Sequence, residues 1–136
     1  MNITIVGLDY EFVCEIAKAL AQKLQMQYLD LEQAIDIVLL KSCDEPIDFA
    51  DNLMKDEENK LIKMATKKEN IIISVSDNTY LSNKHYEFFK NCLIVAIIEE
   101  SEDKIILNLQ KLLAKHSKIS IKKSECSLQN LLNLIN

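Results

Sequence analysis

Residues 2–20 read NITIVGLDYEFVCEIAKAL, and the fold turns on how this stretch is parsed. Asn2 to Val6 is a short, solidly apolar run of the kind that forms a strand buried on both faces. It ends at Gly7, the only glycine of the chain. Val13, Ile16, Ala17, Leu20 and Leu24 then recur at helical spacing. Strand, glycine and helix in that order is the setting of a phosphate-binding loop, G-x-x-x-x-G-K-[ST]. Counted from Gly7, the second glycine falls on Phe12, the lysine on Val13 and the hydroxyl on Cys14.

Those substitutions have a physical direction. A phosphate is held by backbone N–H groups in a loop whose glycines permit close approach, with a lysine balancing charge and a hydroxyl holding magnesium. Phe12 puts a ring beside the approach, Val13 removes the cation, and Cys14 removes the hard oxygen that magnesium prefers. Asp9 and Glu11 add negative charge where an anion would lie. A like charge at about 4 Å opposes binding by roughly 4 kcal/mol at an effective dielectric near 20, before screening. Asp9 has a structural use instead: at a helix N-cap its carboxylate satisfies free N–H groups and the partial positive charge. The expectation is a loop closed by its own side chains, in which Leu8, Tyr10 and Phe12 fill the crevice or offer an apolar contact to a protein partner.

The same alternation continues along the chain. Gln27 to Asp30, Ile71 to Val75, Leu93 to Ile98 and Lys118 to Lys122 read as further strands. Helical spacing recurs in Leu53, Leu61, Ile62 and Ala65, and again in Ile105, Ile106, Leu109, Leu112 and Leu113. Ser127 is placed to cap a last helix, Leu128 to Ile135, with Leu131, Leu132 and Ile135 turned inward. Pro46, after Cys43, marks a break between two helices. Strands alternating with helices through short connections predict an α/β sandwich with a parallel sheet. No linker, repeat or low-complexity tract interrupts it, so residues 1–136 read as one domain.

Composition narrows the function. Nearly half of the 136 residues are hydrophobic, enough for a core that needs no staples. The four cysteines, Cys14, Cys43, Cys92 and Cys126, are far apart and without metal-ligand spacing, so reduced thiols and no metal site are expected. There is no basic leader ahead of the first apolar run and no membrane-length segment, which predicts a cytoplasmic protein that does not engage a membrane. Net charge is −5 with scattered lysines, which argues against nucleic acid. All 16 basic residues are lysine, and the chain has no arginine.

Order and spacing over nearly the whole chain resemble the shikimate kinase family, small phosphate-loop phosphotransferases. The second strand leads into Asp30-Leu31-Glu32, similar to the family's D-x-D element. Met54-Lys55-Asp56-Glu57-Glu58 resembles its F-R-x-x-E, with Lys55 in place of a substrate-binding arginine. Asn70 to Ser82, NIIISVSDNTYLS, is similar to the strand and triple-glycine turn that meets the substrate, with Ser76, Asp77 and Asn78 standing where the glycines would. Between Leu113 and Lys118 only AKHS remains where the family inserts a mobile lid carrying an ATP-contacting arginine. The resemblance implies a three-layer α/β sandwich whose five-stranded parallel sheet has the order 2-3-1-4-5. It places Asp30, Glu32, Lys55 and Asp77 on the substrate side and Gly7, Asp9, Phe12, Val13 and Cys14 on the nucleotide side.

Each candidate has a structural reading beside the functional one. Glu32 at the carboxyl end of a strand is where a general base toward a substrate hydroxyl would sit; equally, Asp30 is a helix cap and Glu32 a first-turn acid. Lys55 meets a carboxylate as a point charge or is a solvated helix lysine. Asp77 and Asn78 read as a turn, His85 and His116 as surface residues, and Glu99 to Lys104, EESEDK, as an acidic helix start. Phosphoryl transfer depends on positioned charge, and most of those parts are missing. The functional expectation is a shikimate-kinase-like domain that has lost phosphotransfer and serves as a binding or regulatory module, with no cofactor. The alternatives are a divergent shikimate kinase using ATP and magnesium on the shikimate 3-hydroxyl, and a non-catalytic nucleotide or metabolite binder.

Overall fold

The computed structural model describes the backbone of residues 1–41 and 47–135 and the side chains of residues 1–38 and 55–135. Cys43 and Pro46, on which a helix break was expected, lie outside the described residues. The elements run β1 (Ile3–Gly7), α1 (Tyr10–Leu24), β2 (Gln27–Asp30), α2 (Leu31–Lys41), α3 (Ile47–Lys67), β3 (Ile71–Ser76), α4 (Asp77–Leu81), β4 (Leu93–Ile98), α5 (Lys104–Lys115), β5 (Ile119–Lys122) and α6 (Leu128–Ile135). A 3₁₀ segment, Ser82–Phe89, joins α4 to β4. The strands form one five-stranded sheet in the order β2-β3-β1-β4-β5, and every pairing is parallel. The expected class and strand order are what the structure has.

The apolar strands occupy the centre for the reason their composition suggests. β1 is buried along its whole length and β3 over Ile71 to Val75, because helices cover both faces. One layer packs α1 and α6 on the sheet through Val13, Ala17, Leu20, Leu131 and Leu132 against Ile3, Ile5, Ile72 and Val95. On the other face Leu31, Ile62, Tyr80, Phe89 and Leu113 meet Val6, Ile73, Val75 and Ala96. The polar ends are closed locally. The Asn2 amide donates to the carbonyls of Thr66 and Lys68, capping the end of α3, while its oxygen accepts from the Ile71 N–H at 3.3 Å. Ser127 caps α6 through the Asn130 N–H at 3.1 Å, and Asp103 caps α5 through Ile105 and Ile106.

Because every strand runs the same way, their carboxyl ends meet along one edge of the sheet. Gly7 stands level with Ser76 on one side and Ile97 on the other. Its glycine identity comes from crowding there. A Cβ at Gly7 would lie 3.0 Å from Val13 Cγ2 and 3.2 Å from the Ile97 carbonyl oxygen, closer than side chains ordinarily pack. Gly7→Ala is therefore expected to lower stability by about 1–3 kcal/mol, the usual range for overpacking a core. Urea denaturation of the variant checks this, and an unchanged midpoint would show that Val13 yields freely.

Candidate functional site

α1 begins soon after β1 ends. Leu8 and Asp9 alone separate Gly7 from the first helical residue, Tyr10. The positions that would form the second half of a phosphate loop, Tyr10 to Val13, are thus the first turn of the helix. Two of its N–H groups bond to Asp9: Val13 donates to the Asp9 carbonyl at 3.0 Å and Phe12 to the Asp9 carboxylate at 3.2 Å. Val13 is fully buried against Gly7 and Ile97 rather than directed to the sheet edge.

Asp9 is the expected N-cap, and it has a second partner that the sequence reading missed. Lys123, just past β5, places its ammonium 2.6 Å from Asp9 Oδ2 and 3.1 Å from Glu99 Oε1. The same ammonium lies 5.3 Å from the centre of the Phe12 ring. Its hydrogen bond, followed by that of the Phe12 N–H, holds the Asp9 carboxyl below the usual carboxylate range. The two carboxylates push the Lys123 ammonium up, Asp9 first and Glu99 second. Beside this cluster a cleft of about 540 Å³ opens over Phe12 and Ile98, bounded by Glu99, Glu100, Lys122, Lys123 and Ser124.

A second network joins α1 to β2 and β3. The Tyr10 hydroxyl donates to Asp30 Oδ1, which also accepts the Gln33 N–H at 3.1 Å. Tyr10 has one proton, so the 3.0 Å contact with Ser74 has the serine donating, and Tyr28 in turn donates to Ser74 Oγ at 2.8 Å. Cys14 turns its thiol toward Asp30 at 3.7 Å and Ser74 at 3.6 Å. Both tyrosines titrate far above their ordinary range, burial being the main cause. Asp30 is therefore a helix cap, as one reading held, and the acceptor at the end of a hydroxyl chain as well.

Glu32 points across the edge to β3. Its Oε1 accepts the Ser76 N–H at 3.0 Å and the Ser76 hydroxyl at 2.8 Å, and its Oε2 accepts the Thr79 hydroxyl at 3.0 Å. The Ser76 hydroxyl oxygen accepts the Thr79 N–H at 3.2 Å. The expected turn at Asp77 and Asn78 is thus a short helix, α4, capped by Ser76, because a serine at a strand end offers the acceptor that a first helical turn lacks. Asp77, in that first turn, has its pKa raised mainly by burial, with the Glu32 charge adding to the effect. Lys55 is exposed on α3 and makes no ion pair among the described residues.

The histidines also depart from expectation. His85 is 1 % exposed, with Nδ1 at 2.8 Å from the Thr79 carbonyl and Nε2 at 3.1 Å from Asn59 Oδ1. His116 is half-buried and stacks on Tyr86 at 3.9 Å between ring centres. Flanking polarity in NKHY and AKHS misled because both are packed by residues remote in sequence. Among the described residues no group of His, Cys, Asp and Glu is arranged to hold a metal, and no helix is long and apolar enough to cross a membrane.

One comparison with known proteins identifies a family. The shikimate kinase family model matches residues 14–132. Among solved structures the chain is similar to the shikimate kinase of Bacteroides thetaiotaomicron, at 13% identity and a TM-score of 0.72 over 99% of this chain and 98% of that one. It is similar to that of Aquifex aeolicus at 16% identity and a TM-score of 0.70, over 99% and 94%. It is similar to that of Acinetobacter baumannii, solved in complex with shikimate, at 12% identity and a TM-score of 0.66, over 98% and 89%. At such identities the structural likeness shows the fold. No curated protein matches the chain. The matched span begins at Cys14, so the stretch Gly7 to Val13 lies ahead of it.

Two measurements test the internal roles of these carboxylates. The depressed Asp9 pKa means that its contribution to stability is complete above its unfolded value, about 3.9, and is lost as pH falls through the folded pKa. Lys123 contributes with the opposite sign, fully below its unfolded value, about 10.4, and less as pH rises past the folded pKa. Thermal melts of Asp9→Asn are expected to lie below wild type at neutral pH and to draw closer to it as pH falls below about 3.9 and as it rises above about 10.4. Parallel curves would show that the pair contributes nothing. Glu32→Ala strands the Ser76 and Thr79 donors and is expected to cost about 1–3 kcal/mol in urea denaturation. A neutral result would free Glu32 for a role toward substrate.

Proposed function

The chain belongs to the shikimate kinase family, and we propose that it is a member that has given up phosphoryl transfer and works as a binding or regulatory domain. One observation carries this reading. The first turn of α1 fills the place of a phosphate loop, with Val13 in the core where the motif's lysine would stand and an Asp9–Lys123 pair at its head.

Phosphoryl transfer requires anion donors, a cation on the β and γ phosphates and a metal-holding hydroxyl, all set before the reaction. The residues at hand do not suit magnesium triphosphate. The Phe12 and Val13 N–H groups are already bonded to Asp9. Lys123, the cation paired with Asp9 at the helix head, is shared between two carboxylates. Cys14 supplies a soft thiol, turned toward Asp30 and Ser74. On the substrate side, Asp30 and Glu32 each accept several internal hydrogen bonds, which weighs against a free general base. No cofactor is required on this reading, and the cytoplasm remains the proposed location. The apolar floor of the cleft over Phe12 and Ile98 is the surface we assign to a protein partner at this edge.

The test is a thermal titration with magnesium ATP followed by an assay for ADP release with shikimate. A retained site would stabilise the fold by about 4 kcal/mol at a thousandfold excess over its Kd. The expected result is an unchanged melting temperature and no shikimate-dependent ADP. A clear shift without turnover would favour the non-catalytic nucleotide binder, and turnover would establish a divergent kinase.

A further inference from the structure

A surface helix ordinarily turns its apolar stripe to the core and its polar side to water. Helix α5 departs from that rule. Its inward anchors are Leu113, which is fully buried, and Gln110, whose buried amide exchanges hydrogen bonds with the backbone N–H and carbonyl of Glu99 just past β4. Among the described residues, Leu113 is the one apolar side chain of α5 that belongs to the packed core. The other large apolar groups stand outside it: Ile105 is 79 % exposed, Leu112 42 % and Leu107 39 %.

Spacing sorts these groups. At 100° per residue, Ile105, half-buried Leu109 and Leu112 fall within about 60° of one another, while Leu107 lies on the far side of the helix. Intervals of four and then three residues are those of a helix that packs lengthwise on another helix. Three apolar side chains in a row along one face of α5 therefore form a seam with no partner in the core.

The seam is complementary to itself. Ile105 and Leu112 stand equally far from a point between Asn108 and Leu109. Two copies of α5 set antiparallel thus bring each Ile105 opposite the Leu112 of the other copy, with both Leu109 side chains beside the two-fold axis. The ends of the helix differ in sign. Its approach carries exposed Glu100, Glu102 and Asp103 against Lys104, whereas its later turns and exit carry exposed Lys111, Lys115 and Lys118 with no carboxylate between Ile105 and Lys118. Antiparallel pairing sets an acidic head against a basic tail at both ends of the contact, and parallel pairing sets like against like.

We propose that a second copy of this chain covers the seam, forming a two-fold dimer through antiparallel α5 helices. One helix pair is at the small end of interface sizes, below about 1,200 Å² in total, so the association is weak and reversible. It does not depend on whether the carboxyl edge of the sheet binds nucleotide or transfers phosphate.

Sedimentation equilibrium of the full chain up to about 500 µM tests this, and a reversible monomer–dimer equilibrium is expected in that range. Ile105→Gln and Leu112→Gln change exposed positions, and each occurs twice in the contact, so each is expected to weaken the dimer about tenfold or more. Leu107→Gln removes an equally apolar group from the far side and is expected to leave it unchanged. Glu102→Lys and Lys115→Glu are each expected to weaken self-association about threefold to tenfold. An equimolar mixture of those two charge variants is expected to associate more tightly than either alone, because every end then pairs opposite signs. A chain that stays monomeric at 500 µM, a dimer indifferent to Ile105→Gln and Leu112→Gln, equal sensitivity to Leu107→Gln, or no recovery in the mixture would overturn the proposal.

Discussion

The contact of Val13 with Gly7 governs the carboxyl edge of the sheet. A helix can start close behind a strand only if its first buried side chain finds room against that strand, and the missing Cβ of Gly7 supplies that room. With Val13 seated there, α1 starts at Tyr10 and its axis is fixed by Ala17, Leu20 and Ala21 below. Everything the edge then does follows from the helix head lying close to the sheet. Tyr10 reaches Asp30, Cys14 lies by Ser74, and Asp9 is brought beside Lys123. A longer loop, of the kind that wraps a phosphate, would separate these groups.

The polar groups left at that edge form two closed systems. One is ionic, with Lys123 between Asp9 and Glu99, and its members are about a third exposed, so it orders the helix head more than it stabilises the fold. The other is a set of hydroxyl and carboxylate bonds in which Asp30 and Glu32 tie β2 and α2 to α1, β3 and α4. Its groups are more enclosed and its acceptors charged, where hydrogen bonds contribute most. Together they supply from within the chain the anion, the cation and the donors that an open α/β edge otherwise offers to a ligand.

How much of this the sequence carried depends on the range of each interaction. The five strands and their order were legible because apolar runs and helical spacing are local, and the resemblance supplied the connectivity. Asp9, Asp103 and Ser127 were legible as caps for the same reason, since each acts on the next turn. Lys123 was not, although it closes the very loop under question. It lies 114 residues from Asp9, and the signal available was only that a basic residue past β5 must converge with whatever follows β1 in a parallel sheet. His85 was missed for a like reason, its partners Asn59 and Thr79 belonging to other elements. Ser76 was misread in a more correctable way: a serine three residues before Thr79 at a strand end is as much a helix cap as part of a turn.

The fold and the edge answer to different constraints, and the chain separates them cleanly. Shikimate kinases at 12–16% identity share its architecture, so few individual side chains are needed to specify the sheet. The edge is different, since a binding loop must keep donors unpaired, and unpaired N–H groups at a helix head are unstable unless something fills them. Once no ligand is held there, a carboxylate in cis lowers the free energy of the folded state, and a lysine that neutralises it lowers it further. Asp9 and Lys123 have the arrangement that such a relaxation would produce, which is what the proposed function holds of this edge. On this argument the same pressure acts on the substrate side, where Ser76 and Thr79 donate to the carboxylate of Glu32: donors that could meet an outside acceptor are met by one that belongs to the chain.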